Sequence, residues 1–380
     1  MMKRRIEFLL TVALCLVLLL IWTRQHAPPP PSKDVQLLPD AILGRKRQSA
    51  VSRRPPRLGP PCYQNTSVVN VTGFSDLPER LQNFMYYRHC KYFPMLLDLP
   101  DKCGGEAGSS GVFLLLVIKS QPENFDRRVV LRETWAKERQ HKGLWIRRVF
   151  ISGTTGTGLE KRRMNKLLEV EHRQHGDVLQ WDFQESFINL TLKQVLFLEW
   201  LDDRCPRVRF LLNGDDDIFA HTDNMVEYLH DVHGEPGGDK HLFVGSLMEG
   251  TGPVRELNKY FVPVQVQESD SYPAYCSGGG YLLSGHTARV LRNMSRSVPL
   301  HPIDDAYMGM CLAQAGLRPS GHMGVNPGGL RIPSSKVDAH DPCYYKDVLM
   351  VHRFMPQQLY VLWDQVHDPG LRCWSNSTWP

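Results

Sequence analysis

The hydrophobic pattern of residues 112–212 alternates between continuous apolar runs and segments with helical spacing. The apolar run Val112–Ile118 is typical of a strand that is buried on both faces of a sheet, and Trp145–Ser152 is predicted as a second strand. The segments DVLQWDF (177–183) and VRFLL (208–212) are predicted as the third and fourth strands. The pattern therefore predicts at least four strands in the first part of the folded domain.

Helical segments separate these strands. Asn124 is predicted to cap a helix through RRVVLRETWAKER, and Gly176 to end a helix through LEKRRMNKLLEVEHRQHG. The segment NLTLKQVLFLEWL is predicted as a third helix. This β-α-β-α order predicts an α/β fold: an open, mostly parallel twisted sheet with helices on both faces, whose ligands bind at the carboxyl ends of the strands.

The N-terminus carries an apolar run of a different kind. Residues 8–23 are almost entirely apolar and follow the basic residues Lys3, Arg4 and Arg5 in the short segment 1–7. No small-residue cleavage site follows the run, which favours an uncleaved signal anchor over a signal peptide. We expect residues 1–7 to be cytoplasmic, residues 8–23 to cross the membrane, and the rest to be lumenal.

The part of the chain beyond this run divides into a stem and a single domain. Residues 24–61 are rich in proline and lack apolar periodicity, which predicts an extended tether. Residues 62–380 are predicted to form one lumenal domain.

Cysteines and glycosylation sequons support a lumenal location. The eight cysteines after the anchor suggest four disulfides, with the pairing left open. The chain contains no CxxC motif, so the cysteines do not predict a zinc site. The sequons are at Asn65, Asn70, Asn189, Asn293 and Asn376.

Composition and charge narrow the function classes. The 380 residues are 42% hydrophobic and 22% charged, as in an ordinary globular protein. The formal net charge of +5 is spread along the chain, so it does not indicate nucleic-acid binding.

Three consecutive aspartates follow the fourth predicted strand. Asp215, Asp216 and Asp217 lie between apolar residues, where carboxylates without a cation would repel one another. Since alternate residues point the same way, Asp215 and Asp217 are predicted to share a divalent ion. The alternative is an acidic turn that caps the helix beginning near Thr222.

A basic and aromatic set on the first helix is a candidate nucleotide site. Arg128, Arg132 and Trp135 have the spacing i, i+4 and i+7, and guanidinium groups suit phosphates while an indole can lie against a base. The alternative is a solvated basic face with one core tryptophan. The chain contains no GxxxxGK[ST] or GxGxxG motif.

Three further motifs carry candidate chemistry, each with a structural alternative. The consecutive glycines Gly278–Gly280 would let the backbone come close to a ligand. The alternative is that they form only a flexible turn. Asp304 and Asp305 precede a helix that ends at Gly316, where one aspartate can cap and the other is free for catalysis. His352 follows an apolar run. It is either a metal ligand or an ordinary histidine at the end of a strand.

The ordered set of segments resembles the β1,3-glycosyltransferases of the secretory pathway. The resemblance rests on VFLLLVIKSQPENFDRRVVLRETW, DVLQWDFQESFINLTLKQ, FLLNGDDDIFAHTDN, YPAYCSGGGYLLS, HPIDDAYMGMC and DPCYYKDVLMVHR. The segment YRHCKYF is similar to the N-acetylglucosaminyltransferase branch.

This resemblance implies a GT-A fold and inverting transfer of GlcNAc from UDP-GlcNAc to the 3-hydroxyl of a terminal β-galactose on glycoproteins or glycolipids. It also implies a Mn²⁺ cofactor and a single-pass Golgi membrane protein. The acceptor would be a core 1 O-glycan or a poly-N-acetyllactosamine chain. Two alternatives are a β1,3-galactosyltransferase that uses UDP-Gal and a non-catalytic lectin-like protein.

The resemblance also implies roles for the motif residues. Asp217 and His352 would bind the metal, with Asp215 and Asp216 serving the metal shell and the nucleotide. Gly279 and Gly280 are candidates for the donor site. Asp305 would be the catalytic base, with Asp304 as its neighbour.

Overall fold

The computed structural model describes residues 61–234, 237–328 and 341–373. The predicted tail, the anchor and nearly all of the stem lie outside these ranges, as does the sequon at Asn376. Within the described ranges, no helix is long and apolar enough to cross a bilayer.

Twelve strands form two sheets in the described residues. In chain order they are β1 (Met95–Leu97), β2 (Val112–Lys119), β3 (Arg139–His141), β4 (Leu144–Thr154), β5 (Val178–Gln184), β6 (Phe210–Asp215), β7 (Ile218–Ala220), β8 (Phe243–Met248), β9 (Tyr275–Ser284), β10 (Ser320–Gly321), β11 (Val325–Asn326) and β12 (Met350–His352).

Ten α-helices accompany these strands in the same described ranges. They are α1 (Glu79–Tyr87), α2 (Gly105–Gly108), α3 (Phe125–Glu133), α4 (Gly158–His175), α5 (Leu190–Arg204), α6 (Thr222–His233), α7 (Gly285–Met294), α8 (Asp304–Gln314), α9 (Pro342–Lys346) and α10 (Pro356–Val366). Short 3₁₀ helices occupy Thr66–Asn70, Phe74–Asp76, Ser109–Gly111 and Phe187–Asn189.

The large sheet has the strand order β1-β5-β4-β2-β6-β9-β8-β10, and β3 pairs with the outer part of β4. The four predicted strands are present, and β5, β4, β2 and β6 form a parallel block. The expectation of a mostly parallel sheet is wrong for the whole, because β9 returns between β6 and β8 and pairs antiparallel with both. The fold is therefore mixed α/β.

The central strand β2 is buried on both faces, as its apolar run predicts. Leu115 and Val117 belong to one hydrophobic cluster, while Leu114, Leu116 and Ile118 belong to the cluster on the opposite face. Each cluster contains side chains from helices, so the sheet is covered on both sides. This double burial fixes the position of the residue that ends β2.

A small second sheet, in the order β11-β12-β7, lies after the three aspartates. Strand β12 runs antiparallel to β7 and places His352 opposite Ile218. The short strand after the aspartates therefore brings a distant histidine to the edge of the main sheet.

Three disulfides form among the described cysteines: Cys62–Cys90, Cys103–Cys205 and Cys343–Cys373. The expectation of four is wrong, because Cys276 and Cys311 are buried free thiols. Both belong to the hydrophobic cluster that also contains Tyr281 and Met308. They act there as small apolar side chains.

The basic set on α3 packs into the protein interior. The helix ends at Glu133, so Trp135 lies beyond it, and the indole Nε1 donates a hydrogen bond to the Ile218 carbonyl. The Arg128 guanidinium donates two hydrogen bonds of 2.8 Å to Glu171. The shared ligand-binding face expected from the i, i+4 and i+7 spacing is therefore not formed.

The same carboxylate also accepts from Arg132, whose other partner is Asp177. The distance from Arg132 Nη2 to Glu171 Oε1 is 2.6 Å, and to Asp177 Oδ1 it is 2.9 Å. Burial raises the pKa of Glu171, but the hydrogen bonds and charges of Arg128 and Arg132 outweigh it and hold the pKa below its usual range. This stabilisation is present above the ordinary pKa of a glutamate and is lost as the pH falls through the lowered value.

We expect Glu171→Gln to lower the free energy of unfolding by about 3 kcal/mol, because it removes the charge shared by two buried guanidinium groups. Chemical denaturation at neutral pH measures the loss. Glu169→Gln on the same helix is the control, since Glu169 is partly exposed and its ion pairs are at the surface, where they contribute little. Equal effects of the two substitutions would contradict the prediction.

Candidate active site

The three aspartates lie at the turn between β6 and β7. Asp215 is the last residue of β6 and Ile218 the first of β7. Asp215 and Asp217 point toward one region, whereas Asp216 turns away and accepts a hydrogen bond of 2.8 Å from Asn124 Nδ2. The alternation expected for this segment is therefore present.

His352 completes the group formed by Asp215 and Asp217. Its Nε2 atom lies 3.2 Å from Asp217 Oδ1 and 3.7 Å from Asp215 Oδ2. The backbone of this segment is tied to the turn, because the Phe354 amide donates to the Asp217 carbonyl at 2.7 Å. Two elements separated by more than 130 residues thus present their side chains to one point.

The donor set suits a divalent ion. One ligand atom from each of Asp215, Asp217 and His352 lies within 4.8 Å of the other two, and all three side chains are partly exposed. Carboxylate oxygens with one imidazole nitrogen fit Mn²⁺ among the common divalent cations, and the solvent-facing side leaves room for further ligands. The residues therefore fit the metal that the sequence resemblance implies.

Arg127 is a cation at this site that sequence reasoning missed. Its Nη1 atom lies 3.4 Å from Asp216 Oδ1 and 3.7 Å from Asp217 Oδ2. Burial raises the pKa of Asp217, but the hydrogen bond and charge of His352, together with Arg127, outweigh it and lower the pKa below the usual value. The RR pair in the sequence was the available signal, but only the helix register shows which arginine faces the aspartates.

The glycines of β9 allow this packing. A Cβ atom on Gly279 would lie 2.8 Å from the imidazole of His352 and 2.4 Å from Ile218, distances that are too short. A Cβ atom on Gly280 would lie 2.5 Å from the Asn213 carbonyl of the neighbouring strand. The contacts of Gly279 and Gly280 are thus to the protein itself, and Gly279 is what lets His352 lie against the strand.

Lys119 links the three aspartates to the second acidic pair. It ends β2, and its Nζ atom lies 3.0 Å from Asp215 Oδ1 and 3.1 Å from Asp304 Oδ2. Burial lowers the pKa of Lys119, but the charges of Asp215 and Asp304 outweigh burial and raise it well above its usual range. The signal in the sequence was a charged residue at the end of the apolar run VFLLLVIK, which our interpretation treated only as a strand end.

Asp304 lies in the first turn of α8 and is not its cap. Ile303 occupies the N-cap position, and the Asp304 carboxylate accepts a hydrogen bond of 2.6 Å from Gln194 Nε2 in addition to its pair with Lys119. Gln194 in turn accepts from the Tyr281 hydroxyl at 2.5 Å. Asp304 therefore does not cap the helix. It belongs to a buried hydrogen-bonded network with Lys119, Gln194 and Tyr281.

Asp305 is in the same turn but in a different environment. It is half-buried and accepts a hydrogen bond from the backbone N–H of Gly278. Burial and then the charge of Asp304 raise the pKa of Asp305 well above its usual range. A carboxylate with a raised pKa is a stronger base when it is ionised, which suits proton abstraction.

The structure thus brings Asp215, Asp217 and His352 together and joins them through Lys119 to Asp304. It does not bring Arg128, Arg132 or Trp135 into contact with this group. Apart from Arg132 Nη1, which is buried without a partner, their donor atoms bond to Glu171, Asp177, the Ile218 carbonyl and other protein groups.

Comparisons with known proteins agree with the resemblance seen in the sequence. The family model described as Galactosyltransferase matches residues 126–322. The human acetylgalactosaminyl-O-glycosyl-glycoprotein β-1,3-N-acetylglucosaminyltransferase is 48% identical over 353 residues, which cover 92% of this chain and 90% of that protein.

Two further relatives have similar names. The human N-acetyllactosaminide β-1,3-N-acetylglucosaminyltransferase 3 is 49% identical over 347 residues, 90% of each chain. The mouse UDP-GlcNAc:betaGal β-1,3-N-acetylglucosaminyltransferase 7 is 40% identical over 317 residues, 82% of this chain and 77% of that protein.

Solved structures add little to this. The galactosyltransferase LgtC in complex with donor and acceptor sugar analogs has a TM-score of 0.34 at 11% identity, covering 65% of this chain and 94% of that one, which is too weak a likeness to argue from. The family model and the close relatives are sufficient by themselves. The chain belongs to the galactosyltransferase family, with close relatives that are named β-1,3-N-acetylglucosaminyltransferases.

Proposed function

We propose that this chain is an inverting β1,3-N-acetylglucosaminyltransferase of GT-A type in the Golgi membrane. It would transfer GlcNAc from UDP-GlcNAc to the 3-hydroxyl of a terminal β-galactose. The names of the relatives support the donor, the linkage and a galactose acceptor. The acceptor chain would be a core 1 O-glycan or poly-N-acetyllactosamine.

The observation that carries the proposal is the pairing of two acidic centres through one buried lysine. Asp215, Asp217 and His352 would hold Mn²⁺ on one side of Lys119, and Asp304 and Asp305 lie on the other. When bound, the ion supplies positive charge for the diphosphate leaving group. A donor site and a base on adjacent elements are what a single displacement requires.

Asp305 would act on the acceptor. Inversion in one displacement needs a base that takes the proton of the attacking 3-hydroxyl, on the side opposite to the leaving group. The Gly278 amide would orient the carboxylate, while burial and the charge of Asp304 keep Asp305 basic.

A transfer assay with the purified full-length chain tests the function. With UDP-GlcNAc, Mn²⁺ and an acceptor ending in β-galactose, we expect a product with GlcNAc linked β1,3, and no product with excess chelator. UDP-Gal in competition tests the galactosyltransferase alternative. Preferred use of UDP-Gal, or binding of glycans without any transfer, would overturn the proposal.

We expect Asp305→Asn to lower kcat by about 10² to 10⁴, because asparagine keeps the shape of the side chain but cannot accept the proton. Donor affinity, measured by calorimetry with UDP-GlcNAc and Mn²⁺, should stay near the wild-type value. Asp304→Asn should lower kcat less, because its amide oxygen can still accept from Lys119 and Gln194. An active Asp305→Asn enzyme would show that the base is elsewhere.

We expect Gly279→Ala to weaken Mn²⁺ binding by about 10- to 100-fold, the range seen when the support of a metal ligand is disturbed. The added methyl group would displace the imidazole of His352. Electron paramagnetic resonance of Mn²⁺ titrated into the enzyme without donor measures this directly. Gly111→Ala is the control, because a Cβ atom there has no neighbour within 4 Å. Equal metal affinity in both variants would remove His352 from the proposed ligand set.

A further inference from the structure

A cavity of about 750 Å³ lies apart from the acidic centres. It is bounded by α1, by the segment from Phe183 to Leu192 and by the tip of the loop near Lys259. Its volume is in the range of pockets that hold small ligands. The aspartates and His352 do not line it.

The charged side chains that line this cavity are all cations. Arg80, Arg88 and Lys259 line it, and no aspartate or glutamate does so. In the described ranges, none of these three cations has a carboxylate oxygen within 4.0 Å, in contrast to the paired arginines on α3. The cavity is therefore complementary to an anion.

Arg88 shows the same imbalance at the level of single atoms. Its Nη2 atom donates to the Leu300 carbonyl at 3.1 Å, but its Nε atom is buried and has no hydrogen-bond partner in the described structure. A buried donor without a partner costs free energy, so the protein leaves part of the hydrogen-bonding capacity of this guanidinium unused.

The cavity wall also offers aromatic and amide groups. Phe187 lines the cavity, and Lys259 Nζ lies 5.8 Å from the centre of its ring. Asn83 and Gln184 add amide groups to the lining. Aromatic faces pack against the C–H faces of sugar rings, and amides hydrogen-bond to hydroxyl groups, so the lining suits a saccharide.

We propose that this cavity binds an acidic saccharide, with the sulfate or carboxylate near Arg88 and Lys259 and a sugar ring against Phe187. The cavity shares its wall with the elements that hold Asp304. Thr191 of α5 donates to the His301 carbonyl at 2.6 Å, and Gln194, on the same helix, donates to Asp304. One helix, α5, therefore links the cavity wall to Asp304.

Binding without donor tests this proposal separately from transfer. Calorimetry on the full-length chain would compare a sialylated and a sulfated lactosamine with neutral lactosamine. We expect at least one acidic sugar to bind about tenfold more tightly than the neutral one, as a charge-assisted contact provides, and the two acidic ligands show which anion is preferred. A glutamate-rich peptide that binds more tightly than both sugars would overturn the assignment to a saccharide.

Substitution of Lys259 locates the site. Lys259 is exposed, so Lys259→Gln should fold normally, as the melting temperature would show, and should weaken acidic binding about tenfold. Lys259→Arg should retain the affinity because the charge remains. Lys240→Gln, at an exposed lysine that does not line the cavity, is the matched control. Equal affinity for neutral and acidic sugars, or no effect of Lys259→Gln, would overturn the proposal.

Discussion

The buried ammonium group of Lys119 is the contact on which the rest of the site depends. Carboxylates from two different elements converge at the end of β2, and without a cation between them they would repel one another. Lys119 lies on a strand that is hydrogen-bonded to β4 on one side and β6 on the other. The position of the ammonium group between the two acidic centres is thus set by the sheet.

Two neighbouring arginines on α3 have identical side chains but lie in different environments. Arg128 points inward and is held by Glu171, whereas Arg127, one residue earlier, points toward the aspartates. One step along a helix rotates the side chain by about 100°, which is enough to move a guanidinium from the core to the site. The inner arginine requires a carboxylate partner because a lone buried charge is too costly, while the outer arginine is partly solvated.

Local patterns made much of the fold predictable. The apolar runs at β2, β4, β5 and β6 and the glycine stop after α4 correspond to observed elements, because each depends on residues close in sequence. The convergence of Asp215 and Asp217 followed from the alternation of side chains in an extended segment.

The antiparallel return of β9 could not be foreseen, because pairing between distant strands leaves no local signal. The burial of Arg128 and Arg132 was hidden for the same reason: their partners, Glu171 and Asp177, lie some 40 residues away. The functional roles of the site residues stay predictions.

The two free thiols have a consequence for how this domain recovers from unfolding. Burial raises the pKa of both Cys276 and Cys311 to about 12, so in the folded state they hold their protons and are shielded from reagents. Unfolding removes both protections at once, and thiolate becomes available for exchange. In an oxidising medium the released thiols would compete for the six cysteines of the three disulfides. The native packing therefore protects the pattern of cross-links, and a chain that opens under oxidising conditions returns to the native state less readily than one that opens with its disulfides shielded from exchange.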